Sequence, residues 1–354
     1  MLLNNRINAF YELGKFLSQF KSTGYEKVNT VKLNDHFFEE IIDKIETAKH
    51  HNGWFTKENV IYSLMQWSAA LTRERLEEWV SSYSFPEKAP QKTVGVIMAG
   101  NIPLVGFHDF LSVLISGHKI LVKQSSDDNQ LLPFLASYLI AIEPKFKEDI
   151  LFTTEKFTDF DAIIATGSNN TARYFEHYFG KVPHIIRKNR NSIAILTGNE
   201  TTEELTDLGE DIFRYYGLGC RSVSKLMVPE GYDFDLFFKA MYTYQRIMDS
   251  AKYANNYDYN KAVYLMSNFK LLENGFLILK EDQSYASPIA TLFYETYTSK
   301  NELLEKLEAD KEKIQCVVSK DISNKSVGFG QTQSPTLSDY ADGVDIIEFL
   351  IKIY

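Results

Sequence analysis

The sequence predicts an α/β protein: two parallel-sheet domains behind a helical N-terminal region. Three observations predict it. Residues 1–90 carry apolar side chains at helical spacing with few Gly or Pro breaks. From residue 94 onward, short apolar runs alternate with amphipathic segments, the pattern of parallel strands covered by helices. The 354-residue length accommodates two domains at roughly 100–200 residues each.

The elements follow in chain order. Ile7, Phe10, Leu13, Phe16, Leu17 and Phe20 recur on one helical face, as do Phe38, Ile41, Ile42 and Ile45, then Leu76, Trp79 and Val80. Three or four helices are expected, ended by Phe85-Pro86 and the polar stretch to Lys92. The run VGVIMA at 94–99, closed by Gly100-Asn101-Ile102-Pro103, predicts a buried parallel strand. Pro103 suits the first turn of a helix reaching Ile115 and ending near Gly117. A strand at 119–122, a helix at 127–141, strands at 150–152 and 162–165, and a helix at 168–179 come next. A strand at 192–196 precedes Thr201-Thr-Glu-Glu204, a capping box, in which hydroxyl and carboxylate satisfy each other's orphan amides. Leu205, Leu208, Ile212, Phe213 and Tyr216 give that helix its apolar face, and Gly217 and Gly219 break it. A strand at 223–228, a helix near 234–248, strands at 276–279 and 289–293, a helix at 302–307 and a strand at 315–318 continue the alternation. The tail DYADGVDIIEFL is expected to add a last strand.

Composition narrows the function. Hydrophobic residues are 44% and charged residues 24%, which excludes wholesale disorder. A net charge of −9 excludes an extended nucleic-acid footprint. The most apolar window, 94–115, is interrupted by Asn101, Pro103, His108 and Asp109, so no membrane span is expected. MLLNNRINAF has no continuous apolar region, so no signal peptide is expected. Two cysteines, Cys220 and Cys316, cannot build a disulfide framework, which fits a reducing, cytoplasmic setting. Seven histidines show no metal-ligand spacing, and no GxSxG, HExxH or P-loop occurs, so no metal is expected. The 25 Phe and 21 Tyr imply a large core or, more sharply, a long apolar ligand.

A few positions can carry chemistry. Cys220 lies in Gly217-Leu-Gly-Cys-Arg-Ser222, where glycines let backbone approach a ligand. Arg221 would favour its thiolate; the plainer alternative is a small buried hydrophobe. Cys316, inside IQCVV, reads as core. Asn101, at a strand end, could donate to a developing oxyanion or simply form a turn. Lys123 follows a strand and could reach ribose or phosphate, or be a solvated strand end. Gly167 and Ser168 open a helix whose amides could meet a phosphate, although no GxGxxG is present.

The order of these signals resembles the aldehyde dehydrogenase superfamily. AGNIPLVGFHDFLSVLISGHKILVKQSS, GLGCRSVSKLMVP and SDYADGVDIIEFL resemble, more closely, the acyl-CoA reductase family, with weaker likeness across HNGWFTKENV. That family includes the reductase subunit of the bacterial luminescence fatty-acid reductase complex. The resemblance implies an aldehyde-dehydrogenase-like fold: a helical region at 1–90, a dinucleotide-binding domain at 91–217, a catalytic domain at 218–325 and a tail at 326–354 that could serve oligomerisation. It implies that Cys220 is the nucleophile, with Asn101 and the Cys220 amide holding the oxyanion. Lys123 falls at the adenosine-ribose lysine, and Gly167 and Ser168 at the helix start that meets the pyrophosphate. Ser126 stands where NAD-preferring relatives have a glutamate, which points to NADPH, with Asp127 and Asp128 beside it. The stretch RKNRN at 187–191, where a water-activating glutamate would be sought, contains no acid, which favours reduction over hydrolysis. The implied reaction reduces a long-chain acyl-CoA or acyl-protein thioester to the aldehyde. An acyl-activating partner enzyme and a homo-oligomer are implied as well. Phe237, Phe238, Tyr242 and Tyr244 could line an acyl tunnel or build the catalytic core. A cysteine acyltransferase or thioesterase on the same scaffold, or a non-enzymatic docking member, are the competing readings.

Overall fold

The apolar repeat of residues 7–20 winds into α1 (Leu3–Leu17), burying Ile7, Phe10, Leu13, Phe16 and Leu17. The computed structural model describes residues 1–86, 90–320, 322 and 326–354. The chain divides into two units, Met1–Lys188 with Thr336–Tyr354, and Asn189–Pro335.

In the first unit a short hairpin, β1 (Phe20–Lys21) and β2 (Gly24–Tyr25), leads to α2 (Asn34–His51), α3 (Lys57–Ala70) and α4 (Arg73–Ser81). Thr56 and Thr72 cap α3 and α4 through their hydroxyls. The sheet follows: β3 (Thr93–Ile97), α5 (Phe107–Ser116), β4 (Lys119–Lys123), α6 (Leu131–Ile142), β5 (Ile150–Phe152), β6 (Ala162–Thr166), α7 (Asn169–Phe179) and β7 (His184–Arg187). Its strands are all parallel, in the order β5-β4-β3-β6-β7. Phe16 stacks on Tyr138 of α6 at 4.5 Å, and Phe10 meets Phe107 and Phe146 edge-on. The helical region and the sheet therefore share one core instead of forming the separate region drawn over 1–90. The polar stretch expected to end that region includes residues 87–89, which lie outside the described residues.

Two helices start later than the sequence suggests. Pro103 belongs to a turn, and α5 begins only at Phe107, because Leu104 adopts φ 58° and gives its amide to Asp128. The chain at 125–128 likewise turns, Ser125 Oγ accepting the Asp127 amide, so α6 begins at Leu131.

The second unit holds β8 (Asn191–Ile195), α8 (Thr202–Phe213), β9 (Val223–Pro229), α9 (Asp235–Met241), α10 (Ala251–Met266), β10 (Leu271–Glu273), β11 (Ile278–Glu281), β12 (Thr291–Tyr297), α11 (Lys300–Ala309) and β13 (Ile314–Val318). The strand order is β10-β11-β12-β9-β8-β13, parallel except for β10. The capping box forms as the sequence requires, Thr201 on the Glu204 amide and Glu204 on the Thr201 amide. The boundary differs from the expected 217/218. β8 pairs with β9 and β13, so the chain leaves the first unit at Lys188, and 191–217 belong to the second sheet. The expected helix at 234–248 is α9 followed by 3-10 turns to Asp249. α10 is unanticipated: it buries only Tyr253, Tyr257 and Asn260, too few for an apolar stripe.

The tail is a helix, not a strand. α12 (Ile346–Lys352) buries Ile346, Ile347 and Leu350, and Asp345 caps it. Trp79 Nε1 donates to Tyr340 at 2.7 Å, Tyr83 to Asp345 at 2.6 Å, and Tyr354 to the Ser116 carbonyl. Tyr340 and Tyr354, in the tail that could serve oligomerisation, make these bonds inside the first unit. Residues 326–335 stay with the second unit, and the drawn boundary at 325 lies outside the described residues. Among the described residues no helix is long and apolar enough to cross a membrane, and no cluster of His, Cys, Asp and Glu could hold a metal.

Candidate active site

In a parallel sheet, ligands collect at the carboxyl ends of strands, where the order reverses. The first sheet runs outward from β3 through β4 to β5, then returns to place β6 on the other side of β3. The reversal point lies between β3 and β6. Asn101 follows β3, Gly167 and Ser168 follow β6, and Lys123 and Ser126 end and follow β4. The structure thus brings five of the six predicted site residues to one edge of one sheet.

Their local geometry is specific. Ser168 caps α7, its hydroxyl accepting the Thr171 amide at 3.1 Å. That hydroxyl is committed to the amino terminus of the helix, the end whose dipole favours an anion. Gly167 is closely packed: a Cβ there would lie 3.0 Å from side-chain atoms of Phe175 and Thr171. Lys123 Nζ donates to the Glu155 carbonyl at 3.2 Å. Ser126 and Asp127 are exposed, whereas Asp128 turns inward and is buried. Burial pushes the Asp128 carboxyl up to about 6. Of the two acids beside Ser126, only Asp127 faces solvent.

Asn101 is exposed in a loop that other residues hold. The Asp128 Oδ2 accepts the Leu104 amide at 2.8 Å, and Ser63 of α3 donates to the Pro103 carbonyl at 3.0 Å. Arg187, from the acid-free stretch, makes a buried bidentate pair with Asp109 of α5 at 2.6 and 2.8 Å. Its carbonyl accepts the Gly167 amide. The acid that meets this stretch is therefore neutralised by an arginine.

Cys220 stands in the second unit, exposed, three residues before β9. It lies at the amino end of its sheet. The approach is unusual: Tyr215, Tyr216 and Gly217 have φ 54°, 59° and 75°, three consecutive left-handed residues. The Ser222 amide then closes a turn onto Gly219 at 2.9 Å, with Cys220 at its tip. Ser192 of β8 donates its hydroxyl to the Cys220 carbonyl at 3.0 Å and accepts the Cys316 amide at 3.1 Å. Gln333 donates to Ser222 at 3.3 Å. Gln333 is delivered by a strap that Asp211, fully buried, holds through the Gly330 amide and the Thr332 amide and hydroxyl.

Two expectations can be set against the structure here. Arg221 donates to the Cys316 sulfur of β13 at 3.3 Å. Phe237 is buried and Phe238 and Tyr244 pack against the same core, Tyr244 stacking on Phe213 at 5.1 Å, while Tyr242 is exposed. These four build and edge the core of the second unit. Sequence reasoning missed Ser192, Asp211 and Gln333, which position the Cys220 turn, and Asn52, which touches the Asn101 loop. Only Asn52 carried a signal, inside the weakly similar stretch HNGW.

The model of the family described as Acyl-CoA reductase (LuxC) matches residues 7–241. A long-chain acyl-protein thioester reductase of Aliivibrio fischeri is 24% identical over 311 residues, covering 79% of this chain. The match spans 62% of that relative's length. Among solved structures, aldehyde dehydrogenase 21 of Physcomitrella patens, in complex with succinate, aligns with TM-score 0.65 and 14% identity over 100% of this chain and 84% of its own. An indole-3-acetaldehyde dehydrogenase of P. syringae, solved with NAD+ and IAA, aligns with TM-score 0.58 and 14% identity over 90% and 72%. These likenesses show an aldehyde-dehydrogenase-like fold.

Proposed function

This chain belongs to the acyl-CoA reductase (LuxC) family, and we propose from that premise that it reduces a long-chain acyl thioester to the aldehyde with NADPH, through an acyl-cysteine on Cys220. The observation that carries the proposal is the exposed Cys220 at the tip of a braced turn in the second unit. A structural cysteine would be packed, as Cys316 is.

The first sheet fits a nicotinamide dinucleotide. The amino terminus of α7, the close-packed Gly167, the ammonium of Lys123 and the uncharged Ser126 form a cationic, anion-accepting end of the sheet at the reversal point. Gly167 and Ser168 would hold the pyrophosphate, Lys123 the adenosine ribose, and Ser126 would leave room for a 2′-phosphate. When bound, the reduced nicotinamide supplies the hydride that brings the acyl group to the aldehyde level.

The protein's own groups do the rest. The Cys220 thiolate attacks the thioester carbonyl, and the Asn101 side-chain amide and Cys220 backbone amide stabilise the oxyanion. The donor thiolate leaves, taking a proton to become a thiol, and acyl-Cys220 remains. That product is again a thioester, so the same donors serve its reduction. After reduction the bond between Cys220 and carbon breaks, and aldehyde departs.

Radiolabelled acyl-CoA should label the wild-type chain and not Cys220→Ala. Adding NADPH should discharge the label as aldehyde with loss of nicotinamide absorbance. Release of fatty acid without that loss would make the protein a thioesterase instead. Rates should climb with acyl length, since each buried methylene is worth about 0.8 kcal/mol.

A further inference from the structure

We infer that Asn52, at the end of α2, is a positioning residue that ties the Asn101 loop to the nucleotide loop at Ser126. The inference rests on the role proposed for Asn101 and concerns what sets it. Asn52 is half-buried, and its Nδ2 donates to two backbone carbonyls, Gly100 at 3.5 Å and Asp127 at 3.3 Å. Gly100 immediately precedes Asn101, and Asp127 immediately follows Ser126. One side-chain amide therefore spans the loops that leave β3 and β4. Its orientation is fixed from behind, because Oδ1 accepts the Trp54 amide at 3.0 Å.

Independent contacts show that these loops are built to meet. A Cβ on Gly100 would lie 2.6 Å from the Cβ of Ser125 and 3.1 Å from the Asp128 amide nitrogen. Asp128, in the second loop, takes the Leu104 amide of the first. Ser63 holds the far side of the first loop at Pro103. Asn101 thus sits between two anchors supplied by the helical N-terminal region, Asn52 before it and Ser63 after it. Donors must sit within fractions of an ångström of the developing oxyanion, so loosening either anchor lowers the rate without touching the reactants.

The test is single-turnover labelling of Cys220 by long-chain acyl-CoA, without nucleotide, in the full chain. Asn52→Ala should slow labelling by roughly ten- to a hundredfold, leaving the half-saturating acyl-CoA concentration unchanged. Asn52→Asp, which keeps the bond to Trp54 but loses both donated bonds, should be slowed as much. NADPH binding, followed by nicotinamide fluorescence, should weaken in both variants. The deciding readout is the double variant. In an Asn101→Ala background, Asn52→Ala should cause no further slowing, because the residues act as one unit. Wild-type labelling rates in both Asn52 variants would overturn the inference, and so would a full additional loss in the Asn101→Ala background. Should Asn52→Ala fail to fold, Ser63→Ala carries the same non-additivity test from the other anchor. Failure of the wild type to label, or labelling of Cys220→Ala, would instead refute the proposed function and this inference with it.

Discussion

The first unit has a five-stranded sheet and the second a six-stranded one, and they present candidate groups from opposite ends. In the first, Asn101, Lys123, Ser126, Gly167 and Ser168 follow strands, at the end where helix amino termini and loop amides gather. A parallel sheet supplies that polarity by its construction. In the second, Cys220 precedes a strand, where the fold offers no such dipole. The chain reaches it through Tyr215, Tyr216 and Gly217 in the left-handed region. Such backbone costs about 1–2 kcal/mol per non-glycine residue, and the bonds from Ser192, Gln333 and the Asp211-held strap keep it in place. An anion-accepting strand end can be inherited from topology, whereas an exposed cysteine at the amino end has to be braced.

The largest expected effect would break the contrast on the first side. Gly100→Ala drives a methyl into Ser125 and the Asp128 amide. The loops after β3 and β4 must part, and turnover should fall about a hundredfold with weaker NADPH binding. Steady-state kinetics beside circular dichroism would measure it. An unimpaired Ala variant would mean that the polar edge tolerates loose loops.

A second test uses Asp128. Its carboxyl is pushed from 3.8 up to about 6, chiefly by burial, and Oδ1 is buried without a hydrogen-bond partner. The folded state holds the proton more tightly than the unfolded chain. Unfolding free energy therefore falls as pH rises from about 4 to 6, by roughly 3 kcal/mol in full, and stays lowered above that window. Asp128→Asn is neutral throughout and keeps an oxygen for the Leu104 amide. Its stability relative to wild type should rise by roughly that amount between pH 4 and 7. Urea unfolding followed by tryptophan emission reads this unit alone, because Trp54, Trp67 and Trp79 all lie in it. A difference independent of pH would show that Asp128 does not titrate in this range.

The counterpart in the second unit is Asp211, which receives three donors where Asp128 receives one. Asp211→Ala leaves the Gly330 and Thr332 amides and the Thr332 hydroxyl without their acceptor, at a cost of about 2 kcal/mol. Hydrogen exchange at Gly330 and Thr332 should accelerate, while tryptophan-detected unfolding of the first unit stays unchanged. Unchanged exchange would remove the strap from the bracing of Cys220.

Much of this contrast was legible in the sequence, and the remainder has physical reasons. The buried strands announced themselves because both faces are covered, so VGVI, KILV and AIIAT read as continuous apolar runs. Thr201 and Glu204 form their capping box because that interaction is local. Contacts distant in sequence were not readable. The Asp128 bond to the Leu104 amide and the Arg221 bond to the Cys316 sulfur join residues 24 and 95 positions apart, and nothing local announces them. The tail read as a strand because its apolar run is short. Ile346, Ile347 and Leu350 instead fit helical spacing once α5 is there to receive them. α10 escaped notice because its few buried groups are polar aromatics and an asparagine.

The smallest effect concerns the left-handed approach to Cys220 itself. Gly217 has φ 75°, and an added Cβ would lie 3.3 Å from the Ile212 carbonyl oxygen, close but not prohibitive. Gly217→Ala should therefore cost about 1 kcal/mol from backbone conformation alone. Tyr215 and Tyr216 already occupy the same region, and a third side chain there removes the one residue that adopts it without penalty. The variant should keep its fold and lower the melting temperature of the second unit by a few degrees, roughly 2–4 °C. Alkylation of Cys220 by iodoacetamide should change while Cys316, buried in β13, stays unreactive. A variant as stable as wild type, with Cys220 equally reactive, would show that this backbone relaxes out of the left-handed region at no cost, and Cys220 would then need no bracing.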